Sequence, residues 1–143
     1  MNHTADEVRR IVHDYAQRVW NDHDTSAVAE YAPDVTEFGG DENVTHATRV
    51  ELVERVADVL TRIPDHHLTV GQVIVQGEQV VWEWRLTGTF HDDRGSFPVD
   101  AKGFTYWRVR DGRIVFRDGV MDLMAWVWQI KVTNRRIRLL MPV

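Results

Sequence analysis

The chain has 143 residues, 43% of them hydrophobic and 27% charged, with a formal net charge of −5, which suits one globular domain with its own core and gives no basis for a polyanion partner. It has no cysteine, so disulfides, thiolate metal sites and cysteine nucleophiles are excluded. The N-terminal MNHTADEVRR has no apolar signal core, and no window reaches the ~18 uninterrupted apolar residues of a membrane span, so a soluble, cytoplasmic protein without membrane or nucleic-acid partners is expected.

Thr4-Ala5-Asp6-Glu7 is a capping-box signature, and Val8, Ile11, Val12, Tyr15 and Val19 follow at helical spacing, predicting a first helix to about Trp20. A short second helix is expected after Asp24 as N-cap, running to Tyr31 before Pro33. Val35 to Phe38 suits a first strand. Thr48-Arg49-Val50-Glu51 repeats the capping signature, and Leu52, Val53, Val56, Val59, Leu60 and Ile63 predict a third helix ending at Pro64. From His67 the period changes to two. Strands are predicted over Leu68 to Gln76, Gln79 to Phe90, Phe97 to Arg110 and Arg113 to Met121, joined at Gly77-Glu78, a polar turn from His91 to Ser96, and Asp111-Gly112. A final helix covers Leu123 to Ile130. The basic cluster Lys131, Arg135, Arg136 and Arg138 reads as a solvated tail or subunit contact, so the single domain 1–143 has a core of about 5–130 and a C-terminal tail over 131–143. Helices first and a strand meander second describe an α+β fold, a curved antiparallel sheet wrapped around N-terminal helices.

Along the third long element Val80, Trp82, Trp84 and Leu86 alternate with Glu83, Arg85 and Thr87, giving one dry and one wetter face. The strand from Phe97 differs: Thr105/Trp107/Val109 and Phe104/Tyr106 make both of its faces partly apolar. Helices can cover only one face, so the other calls for a partner subunit. Trp82, Trp84, Phe104, Tyr106, Met121 and Trp126 either line a pocket for a flat, hydrophobic small molecule or simply fill the interior. Arg117 reads more readily as outward-facing; turned inward, it would be a buried cation able to hold a ligand carboxylate or enolate. His66-His67 and His91-Asp92-Asp93 resemble metal ligands only superficially, and neither a metal nor another cofactor is expected.

Trp84-Arg85-Leu86-Thr87-Gly88-Thr89, Tyr106-Trp107-Arg108-Val109-Arg110-Asp111-Gly112-Arg113-Ile114-Val115 and the following strand into Asp122-Leu123 resemble the SnoaL-like polyketide cyclases of the nuclear-transport-factor-2-like superfamily. The resemblance spans about Val8 to Gln129. It implies a cone with an internal apolar cavity, and a homodimer through the outer sheet face. It also implies a catalytic aspartate on the last strand, but the corresponding position, counted from Gly112-Arg113-Ile114, is Gly119. Asp118, one residue earlier, falls on the opposite face unless a bulge at Gly119 re-aims it. A related superfamily member, ketosteroid isomerase, places a tyrosine on the first helix to meet a developing oxyanion. Tyr15 stands at a similar place, with Glu37 an off-register stand-in for that enzyme's base.

These residues support a cofactor-independent cyclase or isomerase acting on a hydrophobic, polyketide-like carbonyl compound. Asp118 or Asp122 would exchange a proton while Tyr15 or Arg117 steadies an enolate oxygen. Against this, Asp118 could belong to a bulge or pair with Arg117, Asp122 could cap the last helix, and Tyr15 could be a structural core tyrosine. One alternative is a non-catalytic binding or interaction protein of the same fold. A further alternative is an epoxide hydrolase, echoed by Arg117-Asp118 and Asp122 but lacking an acid on the dry face of the Trp82 strand, where only Glu83 is offered and on the wet side.

Overall fold

The computed structural model describes residues 4–40 and 45–130; the basic C-terminal cluster predicted as a tail lies outside them. The Thr4 hydroxyl takes the Glu7 amide at 3.2 Å and the Glu7 carboxylate takes the Thr4 amide at 3.0 Å, so the capping box forms and opens helix α1, Ala5–Tyr15. The helix does not stop at Tyr15. It widens into a π-helical turn over Ala16–Asn21, with the Asp22 amide bonded to the Gln17 carbonyl at 2.7 Å. Tyr15 and Ala16, then Val19 and Trp20, are all buried, a spacing of four that the wider turn brings onto one face.

Helix α2, Ser26–Glu30, has Thr25 rather than the expected Asp24 as its N-cap, without a side-chain cap bond; Asp24 lies one residue before it, its carboxylate accepting the Ser26 amide at 3.1 Å. Strand β1, Val35–Phe38, pairs antiparallel with β2, Thr45–Thr48. The polar, four-residue β2 was not predicted because it is an edge strand that buries little beyond Ala47, leaving no alternating apolar signal to read. Helix α3, Arg49–Arg62, starts where the Thr48 hydroxyl accepts the Glu51 amide.

The meander follows as β3 (His67–Gln76), β4 (Gln79–Asp92), β5 (Gly95–Arg110) and β6 (Arg113–Met121), then α4, Leu123–Ile130. The sheet order is β2-β1-β6-β5-β4-β3, strongly curled into a half-barrel, with β1 running parallel to β6. Asp111 and Gly112 take φ of 51° and 75°, the doubly left-handed turn that the Asp-Gly pair favours. The β4–β5 turn is tighter than predicted. Ladder pairing continues through His91–Ser96 and Asp92–Gly95, helped by the Ser96 hydroxyl and His91 Nδ1 at 2.7 Å.

Register puts Trp107 between Val80 and Arg117, Thr105 between Trp82 and Gly119, and Gly103 between Trp84 and Met121, all on the buried, concave face. The Trp84 indole donates to the Thr105 hydroxyl at 2.9 Å and its ring lies across Gly103 so closely that a Cβ there would collide with it. Glycine at 103 thus lets a tryptophan lie along the sheet. Burying each such large apolar side chain contributes roughly 1.5–3 kcal/mol, so the concave face is also the energetic centre of the fold.

Where α3 gives way to β3, His66 is buried and stacked on Trp20, the ring centroids 4.9 Å apart. Burial above all, with help from nearby His23, pushes its pKa down from the ordinary 6.5 to about 4. The unfolded chain therefore takes up this proton at a higher pH than the folded one does. The stabilisation is complete above pH 6.5 and shrinks as pH falls towards 4. Between pH 7.5 and pH 5 the expected loss from His66 alone is about 2 kcal/mol of unfolding free energy. Urea unfolding of the native protein and of His66→Phe, which keeps a ring against Trp20, measures this. The variant should lose less stability over that interval, and equal losses would show that His66 does not contribute.

Candidate functional site

The concave face is built around two groups that alternate registers would have kept apart. Tyr15, at the end of α1, and Arg117, on β6, are both 0% exposed, and the guanidinium Nη1 donates to the phenol oxygen at 2.8 Å. The same guanidinium lies 4.9 Å from the Tyr15 ring centre and 5.5 Å from that of Trp107, the aromatic faces helping to replace lost hydration. Tyr15 meets Tyr31 edge-on at 5.7 Å and Trp107 at 5.1 Å, and Trp107 meets Trp82 at 5.1 Å. The result is a continuous aromatic wall with one positive charge embedded in it.

A bulge explains why Arg117 faces inward. Val109 pairs with Ile114 but Arg108 pairs with Phe116, so Val115 is an extra residue in β6. Each residue after it changes face, which turns Arg117, Gly119 and Met121 inward beside buried Ile114. The expectation that Arg117 faces outward is thereby corrected. The bulge lies at Val115 rather than at Gly119, and Asp118 stays on the convex side.

Asp118 pairs in register with Tyr106, is half-buried, and accepts the Gly119 amide at 2.8 Å while lying over Gly39. It is on the opposite face from Arg117, so the anticipated pairing between them does not form. Asp122 is exposed and accepts the Ala125 amide at 3.0 Å, as an N-cap of α4 does. Phe104 is 52% exposed and Tyr106 bonds Gln79 at 3.2 Å, so both lie on the convex face and not with the other aromatics. Trp82, Trp84, Met121 and Trp126 remain on the inner side, with Trp82, Trp84 and Trp126 buried and Met121 half-buried in register with Gly103. Trp126 is held there by α4, whose Gln129 side chain clasps Asp100 through both backbone groups, at 2.6 and 2.8 Å.

Glu37 faces outward, 4.0 Å from His46, and Glu83 is half-exposed, its carboxylate accepting the Gln72 amide. Among the described residues no aspartate or glutamate is buried, and no cluster of histidine or acidic side chains could hold a metal ion. The predicted convergence of an acid with Tyr15 on the inner face is therefore not found. Two residues left out of the predicted site belong to its wall. Trp107 joins Tyr15 to Trp82, and Thr105 orients Trp84. Their alternation with Phe104 and Tyr106 was visible in the sequence, but which face is inside became clear only from the register with Trp82.

This architecture agrees with the comparisons. The SnoaL-like polyketide cyclase family matches residues 10–130, and the chain belongs to that family. A candidate SnoaL-like polyketide cyclase of Jannaschia sp. CCS1 superposes with a TM-score of 0.76 at 18% identity, over 94% of this chain and 99% of that one. IdmH of Streptomyces antibioticus, a candidate polyketide cyclase, gives 0.72 at 20% identity over 87% and 98%. AclR of Streptomyces galilaeus, a candidate hydroxylase, gives 0.74 at 18% over 87% and 96%. No curated protein matches the chain in sequence. Among the described residues no helix is long and apolar enough to cross a membrane.

The cap assigned to Asp122 can be measured. Asp122→Ala should cost about 1 kcal/mol in urea unfolding and speed amide exchange in α4. Unchanged exchange there would remove Asp122 from the role of cap.

Proposed function

We propose that this protein binds a flat, enolisable carbonyl compound on its concave face and promotes its cyclisation or isomerisation by stabilising the enolate oxygen. The observation that carries this reading is the bond from Arg117 to Tyr15. The phenol oxygen already accepts from a cation, so its own proton is left to donate, and the positive charge behind it strengthens that donation. The substrate class follows from the aromatic wall and from the family, several of whose structural neighbours carry polyketide cyclase in their names.

The chemistry needs no oxidant. A proton on the carbon between two carbonyls is acidic enough to pass to water, and its bonding electrons move onto a carbonyl oxygen held by Tyr15. The enolate carbon then attacks a second carbonyl of the same molecule, a C–C bond forms, and the new alkoxide takes a proton. What the side chains contribute is orientation and charge stabilisation, with no buried carboxylate needed as base. Loss of the Tyr15 hydroxyl in Tyr15→Phe should slow enolisation roughly 10²-fold, the usual effect of deleting an oxyanion donor. Deuterium exchange at the carbon between the carbonyls of a β-dicarbonyl compound, followed by NMR, reads this directly. Arg117→Met should be similarly slow, while Asp118→Asn stays within about twofold of the native rate. A large loss in Asp118→Asn would contradict the assignment.

The lack of a buried acid among the described residues favours a second reading, a binding protein without turnover. It predicts tight binding of such compounds with exchange no faster than in buffer.

On the convex face Phe104, Val120 and Ile74 are 52%, 64% and 64% exposed, with Val81, Tyr106 and Phe116 beside them. A second copy is the proposed cover for this patch, pairing the two outer sheets. Sedimentation should then show a dimer that Phe104→Asp converts to monomer, and a native monomer at micromolar concentration would count against it.

A further inference from the structure

Two open backbone edges of this fold are closed by side-chain amides. Asn21 bonds the Leu68 amide at 2.7 Å and the Leu68 carbonyl at 2.9 Å, where β3 starts. Gln129 does the same for Asp100, where β5 runs on past the end of β6. The rest of β3 has no such cover, although β3 ends the sheet. The Gly77-Glu78 turn closes on the pair Gln76–Gln79, so Gln76 and Ile74 bond β4 while Val73 and Val75 point their N–H and C=O groups away from it. Beyond the bulge between Val70 and Val73 the same alternation turns Leu68 outward, as its bonds to Asn21 require. Among the described residues no backbone group of another element meets those of Val73 or Val75. Folded chains usually blunt an open edge with charge, proline or brevity. The other edge strand, β2, has four residues, but β3 has ten and no charged side chain after His67.

The sequence of this edge is its own complement. Gly71-Gln72-Val73-Ile74-Val75-Gln76-Gly77 reads identically in both directions about Ile74. Antiparallel pairing of two such strands about a twofold axis at Ile74 sets Val73 against Val75, Gln72 against Gln76 and Ile74 against itself, with no mismatch of size or charge. The backbone allows the same axis, because Val73 and Val75 flank Ile74 and would supply about four hydrogen bonds across it. Ile74 is 64% exposed, in a row with Val81 and Tyr106 on the convex side, so the pairing also covers an apolar side chain. We infer that the β3 edges of two copies pair antiparallel about Ile74 and join their sheets edge to edge. This contact is separate from the pairing of outer sheet faces and, being small, acts at higher concentration. Gly71 marks its limit, since regular pairing stops at the bulge.

Sedimentation of Phe104→Asp isolates the edge. Between about 5 and about 500 µM it should pass from monomer to dimer and stop there, since a twofold contact uses the edge of both copies. Over the same range the native outer-face dimer should grow further. Val75→Pro deletes an N–H that makes no bond within the sheet, and Ile74→Lys sets like charges against each other at the axis. In the Phe104→Asp background each should weaken edge association at least about tenfold, whereas Val75→Ala, which keeps the N–H, should stay within about threefold. Circular dichroism and urea unfolding identify a variant that does not fold, and the exposed Ile74→Lys decides the matter if Val75→Pro is one. The chain has no cysteine, so Ile74→Cys in that background should oxidise to a disulfide dimer, its Cα atoms about 4.5 Å apart at the axis, and Val73→Cys should not. No growth of Phe104→Asp over that range, association undiminished by Ile74→Lys, or equal cross-linking of both cysteine variants would overturn the inference. A native monomer at low concentration that still pairs through β3 at high concentration would remove the outer-face dimer and leave the edge standing. A native dimer that never grows would do the reverse.

Discussion

A guanidinium with no exposed surface is the constraint around which the concave face is arranged. Removing such a charge from water costs several kcal/mol, and the structure offsets this with a 2.8 Å bond to a phenol and with two aromatic faces. Because the partners come from α1 and β6, that one interaction joins the first helix to the last strand across 102 positions of sequence. The π-helical turn immediately after Tyr15 belongs to the same arrangement. It lets Ala16, Val19 and Trp20 stay buried without rotating Tyr15 away from the strand. Helical irregularities of this kind are common where a side chain has to be aimed.

The fold was largely legible because its elements carry strong local signals. Two hydroxyl caps, a clean alternation along β4 and an Asp-Gly turn located the helices and the meander. The candidate site was legible only in part. Tyr15, Trp82, Trp84 and Trp126 share the inner side as anticipated, whereas Phe104 and Tyr106 do not, since β5 is apolar on both faces and period alone cannot say which is inside. Arg117 needed the bulge at Val115. Nothing in Ile114-Val115-Phe116 is a glycine or proline that would mark such an irregularity, and its effect is to invert every residue after it.

The same inversion governs the chemistry that is available. At the position where the family resemblance implies an aspartate, this chain presents Gly119, in register with Thr105 on the inner face, while Asp118 beside it is turned outward. The polar character of the interior therefore shifts from a proton-exchanging acid to a cation and a set of N–H and O–H donors. Acids move protons; donors and cations hold negative charge. Under the proposed function, an interior of the second kind suits a substrate acidic enough to surrender its proton unaided, and it would gain little from one that is not.

The two sheet faces then differ in character in a way that the alternation along each strand enforces. Residues of β5 alternate between a buried inner row, Val99 to Val109, and an outer row that carries exposed Phe104 and half-buried Tyr106, so each substitution along this strand touches one face and not the other. Thr105 and Trp107 shape the interior, while Phe104 and Tyr106, one step away, face out. Gly103 is the exception, as the point where β5 thins to admit the Trp84 ring and where the backbone itself becomes part of the floor. Packing on the concave face can therefore change through the odd-numbered positions from Gly103 to Val109 while the convex surface is preserved. The fixed element in that scheme is Arg117, because the residues that could repay its desolvation come from α1 as well as from the sheet.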